Sequence, residues 1–142
     1  MSAAVTPAVR DARRSWARAL CAAAAAAAAA IAWAVEVPLL GIRLTVRFGA
    51  MAPQTVVAGQ VVGTALVAGL LGWLLLAALD RRVGHPRSAW TAVALLVLAV
   101  SLALPLAAAT TTSAAVGLIV LHLVVGAVVI PGLARTARLA GQ

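Results

Sequence analysis

The residues of this sequence that could do chemistry are few, and most of them lie inside strongly apolar runs. His122 stands near the middle of the run GLIVLHLVVGAVVIPG. Four more polar residues lie within or at the end of other apolar runs: Glu36, Gln60, Thr64 and Ser101. An imidazole, two hydroxyls, an amide and a carboxyl could form a small polar pocket, a proton path or a ligand site.

Two interpretations of this polar layer stay open. Ionisable residues inside a membrane are functional candidates, because burying one costs several kcal/mol unless it finds partners. Alternatively, a neutral His122 hydrogen-bonds to Ser101 or Thr64 and joins two helices, a contribution of only about 0.6–2 kcal/mol. Under both interpretations we expect His122 to face inward, at the floor of a pocket that opens toward Glu36.

No motif in the sequence indicates a cofactor or a metal. We find no phosphate loop, no HExxH, no nucleotide-binding glycine motif and no serine–base pair. The single cysteine, Cys21, excludes an intramolecular disulfide, a cysteine metal cluster and a paired-cysteine quinone reductase. Haem held by two histidines would need a second intramembrane histidine. We therefore expect no cofactor and no metal, and we favour a non-enzymatic protein over an enzyme.

The composition places the chain in a membrane. Of its 142 residues, 65% are hydrophobic and only 10% are charged, whereas soluble domains are about half apolar and about a quarter charged. The net charge of +8 comes from arginines scattered in short segments between apolar runs. That distribution favours an orientation signal over a nucleic-acid surface. The expected partner is the lipid bilayer, and nucleic acid is not expected.

Four segments have the roughly 17–25 apolar residues that a helix needs to cross a bilayer. The predicted spans cover about 19–35, 55–79, 90–109 and 114–133. The sequence thus predicts an all-α, up-down four-helix transmembrane bundle.

For the first span the alternative is a cleaved signal peptide. An Ala-x-Ala pattern stands at its end, but its run of about 17 apolar residues exceeds the usual 7–15 or so.

The arginines predict the orientation. Nine of the eleven lie in a basic segment at 1–18, in the loop between spans two and three, or in a tail at 134–142. Only Arg43 and Arg47 fall on the other side. Since cytoplasmic loops are enriched in arginine, we expect both termini to be cytoplasmic and the protein to lie in the inner (plasma) membrane.

Small residues predict where the helices touch. Gly59 and Gly63 form a GxxxG pair in span two, and Gly126 lies on the same helical stripe as His122. Since small residues let helices approach closely, we expect all three glycines at helix contacts. The nine alanines at 22–30 either pack against neighbouring helices or merely reflect codon usage.

The connections also carry predictions. In the first loop, apolar residues at 42, 44, 46 and 48 alternate with polar ones, which predicts a short β-like or interfacial segment. Pro105 should kink span three one turn beyond Ser101. Asp80, next to Arg81 and Arg82, is expected to be a solvated helix end.

The third and fourth spans resemble part of a known protein family. The stretch SLALPLAAATTTSAAVGLIVLHLVVGAVVIPGLARTAR resembles the C-terminal half of a family of small actinobacterial four-helix membrane proteins known only as a domain of unknown function. The matching features are Pro105-Leu106, the threonine-rich turn, His122-Leu123 and the IPGLART ending at 130–136. This resemblance implies four spans and no activity.

We expect an accessory or structural component, alone, as a homo-oligomer or with a membrane partner. The alternative is a small transporter or proton-coupled permease that uses the polar layer.

The arginine distribution makes a topology prediction. In a Cys21→Ser background, single cysteines at Thr45 and Gly84 should react with a membrane-impermeant maleimide from opposite sides of the membrane. The measurement is labelling of intact spheroplasts before and after permeabilisation. Equal labelling of both positions from the outside would contradict the four-span arrangement.

Overall fold

The computed structural model describes residues 7–137, and its architecture is almost entirely helical. Its elements in chain order are α1 (Pro7–Ala34), a π-helical turn (Val35–Leu39), β1 (Thr45–Val46), β2 (Gln54–Thr55), α2 (Ala58–Arg82), α3 (Pro86–Ser101), α4 (Ala103–Ala108) and α5 (Thr112–Ala134). Four helical stretches are long and apolar enough to cross a membrane: Val9–Leu39, Ala58–Arg82, Pro86–Ala108 and Thr112–Ala134. The prediction of four candidate spans is confirmed. The first six residues and residues 138–142, which include Arg138, lie outside the described part.

Local chemistry explains where these helices begin and break. Pro86 starts α3, at a position where the missing N–H has no helical partner to lose. Thr111 caps α5, since its hydroxyl oxygen accepts a hydrogen bond of 3.1 Å from the amide of Ala114. Span three is interrupted at Leu102, because Pro105 has no N–H to donate to the carbonyl of Ser101. The predicted break near Pro105 is confirmed.

The four spans are packed unevenly around α5. α1 packs against α2 and α5, whereas α3 packs mainly against α5 and less against α2. The buried alanines of α1 form one face at i, i+3, i+4 and i+7 spacing: Ala22, Ala25, Ala26 and Ala29. A Cβ atom on Gly69 of α2 would lie 2.8 Å from the Cβ of Ala22. On α5, a Cβ on Gly132 would collide with the sulfur of Cys21. The alanine run is therefore a packing surface along one face of α1.

The glycines that pack in α2 differ from the pair expected there. A Cβ on Gly59 or Gly63 would meet nothing within 4 Å, so neither glycine sits at a helix contact in the described chain. The close approaches of α2 occur at Gly69 and at Gly72, where an added Cβ would lie 2.9 Å from the Trp90 ring. The expectation for Gly59 and Gly63 was wrong because the rotation of α2 about its axis turns a different glycine face inward. Gly126 does pack, since its Cβ would lie 2.8 Å from Leu98.

A small hairpin covers one end of the bundle, and we call this the hairpin end. β1 pairs antiparallel with β2, and on its other side β1 is joined to the turn between α4 and α5 by two backbone hydrogen bonds, Arg47 N to Ala108 O and Thr110 N to Thr45 O. Leu44, just before β1, is fully buried. The β-like segment expected in this loop is therefore present, with its apolar face on the helices.

The opposite end, where Arg81 and Arg82 close α2, is the arginine end. Near it, Trp90 is buried and its indole N–H donates a 3.0 Å hydrogen bond to the carbonyl of Ile130. Trp90 also meets Gly72, so it holds α2, α3 and α5 together at this end. Toward the hairpin end, the described residues leave a cleft between α2 and α3.

The close approach at Gly69 predicts an overpacking effect. Gly69→Ala should lower the melting temperature in detergent, because the new methyl group meets Ala22 and overpacking costs about 1–3 kcal/mol. Gly63→Ala is the matched control. It places the same methyl group in open space on the same helix and should not destabilise, since alanine favours a helix over glycine by about 0.5–1 kcal/mol. Equal melting temperatures for the two variants would overturn this packing interface.

Candidate functional site

A large cleft lies between α2, α3 and α5 and is here called the main cleft. Its volume is about 520 Å³. Along α2 it extends from Gln60 to Leu75, which corresponds to about 22 Å of helix at 1.5 Å per residue. Exposed apolar residues such as Leu71 and Val97 line its rims, so the cleft opens sideways between α2 and α3. A cleft of this size with apolar walls is typical of small-molecule sites.

A second cavity adjoins the main cleft at the hairpin end and is called the hairpin cavity. It measures about 310 Å³ and is lined by hairpin residues, including Gln54 and Thr55, and by residues of α4. Both cavities are lined by the same five residues where they meet: Val56, Gln60, Thr64, Leu118 and His122. Sequence analysis had not singled out Gln54 or Thr55, since polar residues in a surface loop carry no distinguishing signal.

Four of the five polar residues selected from sequence line the main cleft together. Gln60, Thr64, Ser101 and His122 all lie at its hairpin end. Glu36 lines neither cavity. The layer inferred from helical depth therefore corresponds to one polar region of an otherwise apolar cleft, while the carboxyl lies elsewhere.

Three of these polar side chains, His122, Thr64 and Ser101, bond to a carbonyl of their own helix. Nδ1 of His122 lies 2.7 Å from the carbonyl oxygen of Leu118, one turn earlier. The hydroxyls of Thr64 and Ser101 donate hydrogen bonds of 2.7 Å to the carbonyls of Gln60 and Leu98. Among the described residues no hydrogen bond joins His122 to α2 or α3, so the interhelical bond expected for it is not formed. The physical reason is that a carbonyl one turn away is always within reach.

These hydrogen bonds determine which donors and acceptors remain for a ligand in the main cleft. A carbonyl oxygen only accepts, so Nδ1 of His122 is the donor in this contact, and in a neutral imidazole of this tautomer Nε2 is an acceptor. Thr64 and Ser101 use their only hydroxyl protons on backbone carbonyls, so their oxygens also remain acceptors. Gln60 accepts from the amide of Val57 through Oε1, which leaves its NH₂ group as a donor. No charged side chain lines either cavity.

Glu36 occupies a separate position in the π-helical turn that ends the first span. Its side chain is buried, and neither carboxyl oxygen has a hydrogen-bond partner among the described residues. The π-helical turn contains Pro38, which has no N–H to donate to the carbonyl of Ala34. The wider turn follows from that loss, as the amide of Leu40 bonds instead to Val35, five residues earlier.

A buried ion pair lies near the arginine end. Nη2 of Arg18 lies 2.6 Å from Oδ2 of Asp80, and both side chains are less than a tenth exposed. Arg18 also donates to Thr136, through Nε to the hydroxyl oxygen at 3.0 Å and through Nη2 to the carbonyl at 3.1 Å. The expectation that Asp80 is a solvated helix end was wrong. An acidic residue in the last turn of a helix is unfavourable with the helix dipole, and this was the one sequence signal of a buried partner.

Comparison with known proteins identifies a family but no activity. The model of a family described as "Family of unknown function (DUF6069)" matches residues 9–139. No curated protein and no solved structure matches the chain. The match covers nearly the whole sequence, including all four spans, the main cleft and the ion pair.

The buried ion pair generates a stability prediction. Arg18→Gln or Asp80→Asn should each lower the unfolding free energy by about 3–5 kcal/mol, because each leaves one buried charge without its partner. The double variant should lose less than the sum of the two. The measurement is a double-mutant cycle by SDS-induced unfolding in mixed micelles. Arg14→Gln is the matched control, since Arg14 lies 3.9 Å from the exposed Asp11 and such pairs contribute at most about 1 kcal/mol. Strict additivity at Arg18 and Asp80 would contradict the pair.

Proposed function

The chain belongs to the DUF6069 family of unknown function, so its role has to be argued from its own residues, and we propose that it is a non-enzymatic binding protein of the inner membrane. Its ligand is a neutral, hydroxyl-bearing amphiphile held in the main cleft. The arginine end and both termini face the cytoplasm, because arginines concentrate on the cytoplasmic side of membrane proteins.

The single observation that carries this proposal is the chemistry of the main cleft. Its walls are apolar over most of its length, which suits a hydrocarbon chain that enters sideways from the lipid. Its hairpin end presents acceptors on His122, Thr64 and Ser101 and a donor on Gln60. A polar head that donates a hydrogen bond matches those acceptors.

The lack of charged side chains in the cleft further restricts the head groups that it can bind. A phosphate or carboxylate head would need a cation or several N–H donors, as found wherever anions are bound. An ammonium head would need a carboxylate, and Glu36 does not line the cleft. An uncharged hydroxyl leaves neither partner with a buried, unpaired charge.

The second candidate function is a small transporter or proton-coupled permease. The observation that favours it is that the lipid-facing main cleft and the hairpin cavity adjoin, with His122 lining both of them. In that case the amphiphile passes His122 instead of resting on it, and bound ligand does not accumulate during purification.

Head-group selectivity tests the proposed binding. With the protein in nanodiscs of dioleoyl phosphatidylcholine, 1-dodecanol should raise the melting temperature, whereas dodecyl methyl ether and dodecylamine should not, since the ether lacks a donor and the amine is charged. A ligand at 100 times its dissociation constant stabilises by about 2.7 kcal/mol. His122→Leu should keep its own melting temperature within a few degrees, because only a local hydrogen bond of about 0.5–1.5 kcal/mol is lost. It should nevertheless lose the response to the alcohol.

The matched control for His122→Leu is Thr91→Val. Thr91 makes the same kind of hydrogen bond, to the carbonyl of Arg87, but lies outside both cavities. Its variant should respond to dodecanol as the unmodified protein does. An equal response to the alcohol and the ether, or an undiminished response in His122→Leu, would rule out the main cleft as the hydroxyl site.

A further inference from the structure

Glu36 carries a buried carboxyl that belongs neither to the main cleft nor to the ion pair. Its side chain is 6% exposed, and both carboxyl oxygens are buried without a hydrogen-bond partner among the described residues. An isolated carboxylate in apolar surroundings is among the most costly groups to bury, whereas the protonated acid is far less so. Buried polar groups without partners are rare in native proteins, so each calls for a physical explanation.

The Glu36 carboxyl is closely packed on the side that faces α5. A Cβ atom on Gly117 of α5 would lie 3.0 Å from Oε2 of Glu36, and the same atom would meet the side chain of Leu44 at 2.7 Å. Neither cavity reaches the carboxyl. No group of three metal-ligating side chains occurs in the described part of the chain, so a metal ion has no donor set there. Close packing and the lack of a metal donor set favour the proton as the ligand of this carboxyl.

No cation faces the carboxyl from any element around it. In α5 the one titratable residue is His122, which lines the cavities and bonds to Leu118. In α2 the charged residues are confined to the arginine end, at residues 80–82. In α1 the charged residues and Cys21 lie at least about 22 Å along the helix from Glu36, at 1.5 Å per residue. In the loop, Arg43 and Arg47 are exposed, and neither forms an ion pair with Glu36 in the described chain.

We propose that Glu36 is a proton-binding site within the membrane, and that its protonation state controls whether the loop beside it packs on the helices. In the buried state the carboxyl is protonated. When its O–H bond breaks, the proton passes to water at the hairpin surface and the carboxylate that remains moves out of the apolar site toward water and Arg43. The proposal does not depend on ligand binding in the main cleft, because Glu36 lies outside it.

The backbone around Glu36 is suited to such a movement. π-Helical turns are rare and occur frequently at functional sites. This one is followed by Gly41, whose φ of 67° is a conformation that glycine adopts without strain. The carbonyl of Glu36 accepts from the amide of Ile42 at 2.9 Å, so the turn is hydrogen-bonded to the start of the loop. Leu44, which contacts the same glycine as the carboxyl, is the side chain that such a movement would uncover.

Dicyclohexylcarbodiimide tests the proton directly. The reagent is apolar and adds to a protonated carboxyl, whose oxygen bonds to the carbodiimide carbon while its proton passes to nitrogen. The chain supplies its own controls, since its acidic side chains are Asp11, Glu36 and Asp80. In native nanodiscs at neutral pH, peptide mapping by mass spectrometry should find the adduct on Glu36 and not on exposed Asp11 or paired Asp80. Labelling should fall about tenfold per pH unit once the carboxyl ionises.

Either of two results would overturn the proton site. Labelling of Asp11 as fast as Glu36, or a Glu36 adduct absent throughout the range from about pH 6 to about pH 9, would do so. Because each adduct is located by mass on the unmodified protein, this test does not depend on whether a Glu36 variant folds.

A cysteine pair tests the movement of the loop. In the Cys21→Ser background, the ratio of maleimide labelling at Leu44→Cys to that at Phe48→Cys should rise as pH increases. Phe48 is 41% exposed on the same loop and corrects for the reactivity of the thiolate itself. In Glu36→Gln the ratio should stay constant, because the amide cannot release a proton in this range. A constant ratio in both proteins would overturn the coupled movement.

Discussion

The close approach of α1 to α2 and α5 is the constraint on which the rest of the structure depends. Ala22 lies against Gly69 and Cys21 against Gly132, at distances that leave no room for a β carbon on either glycine. In a membrane the hydrophobic effect does not drive helices together, so such backbone-level contact is a main source of association. It holds three helices tightly, while α3 packs on the outer side of α5. The space left between α2 and α3 is the main cleft.

Hydrogen bonding within single helices determines the character of that cleft. A polar group in hydrocarbon has no water to bond with, so it takes the partner that is nearest. For Thr64, Ser101 and His122 that partner is a carbonyl one turn away, reached by donating the side chain's proton. Their remaining lone pairs then face a cavity and can bind a donor. An ionised Glu36 has no proton to donate, so it cannot form such a hydrogen bond to a backbone carbonyl. In our proposal the buried carboxyl is protonated instead.

The two ends of the bundle are held by different chemistry. At the arginine end, the Arg18–Asp80 pair and Thr136 join the first, second and last spans through charge and hydrogen bonds. At the hairpin end, the backbone of β1 bonds to the turn between α4 and α5. Glu36 lies near this attachment, since its carboxyl and the side chain of Leu44 approach the same glycine, Gly117. A loop that is held by a few hydrogen bonds and one buried leucine can be displaced more easily than the ion pair.

The sequence by itself determined the number of spans, the hairpin and the break before Pro105, because run length, alternation and a missing N–H act locally. It also brought His122, Ser101, Thr64 and Gln60 to one region, since helical rise sets their depth. Only the tertiary structure decided that Gly69 packs while Gly63 does not, that Arg18 pairs with Asp80, and that Glu36 turns away from the cleft. Those outcomes depend on how each helix is rotated about its axis. In helices that are apolar on every side, hydrophobicity does not distinguish a face that meets lipid from a face that meets protein, so the rotation follows from packing.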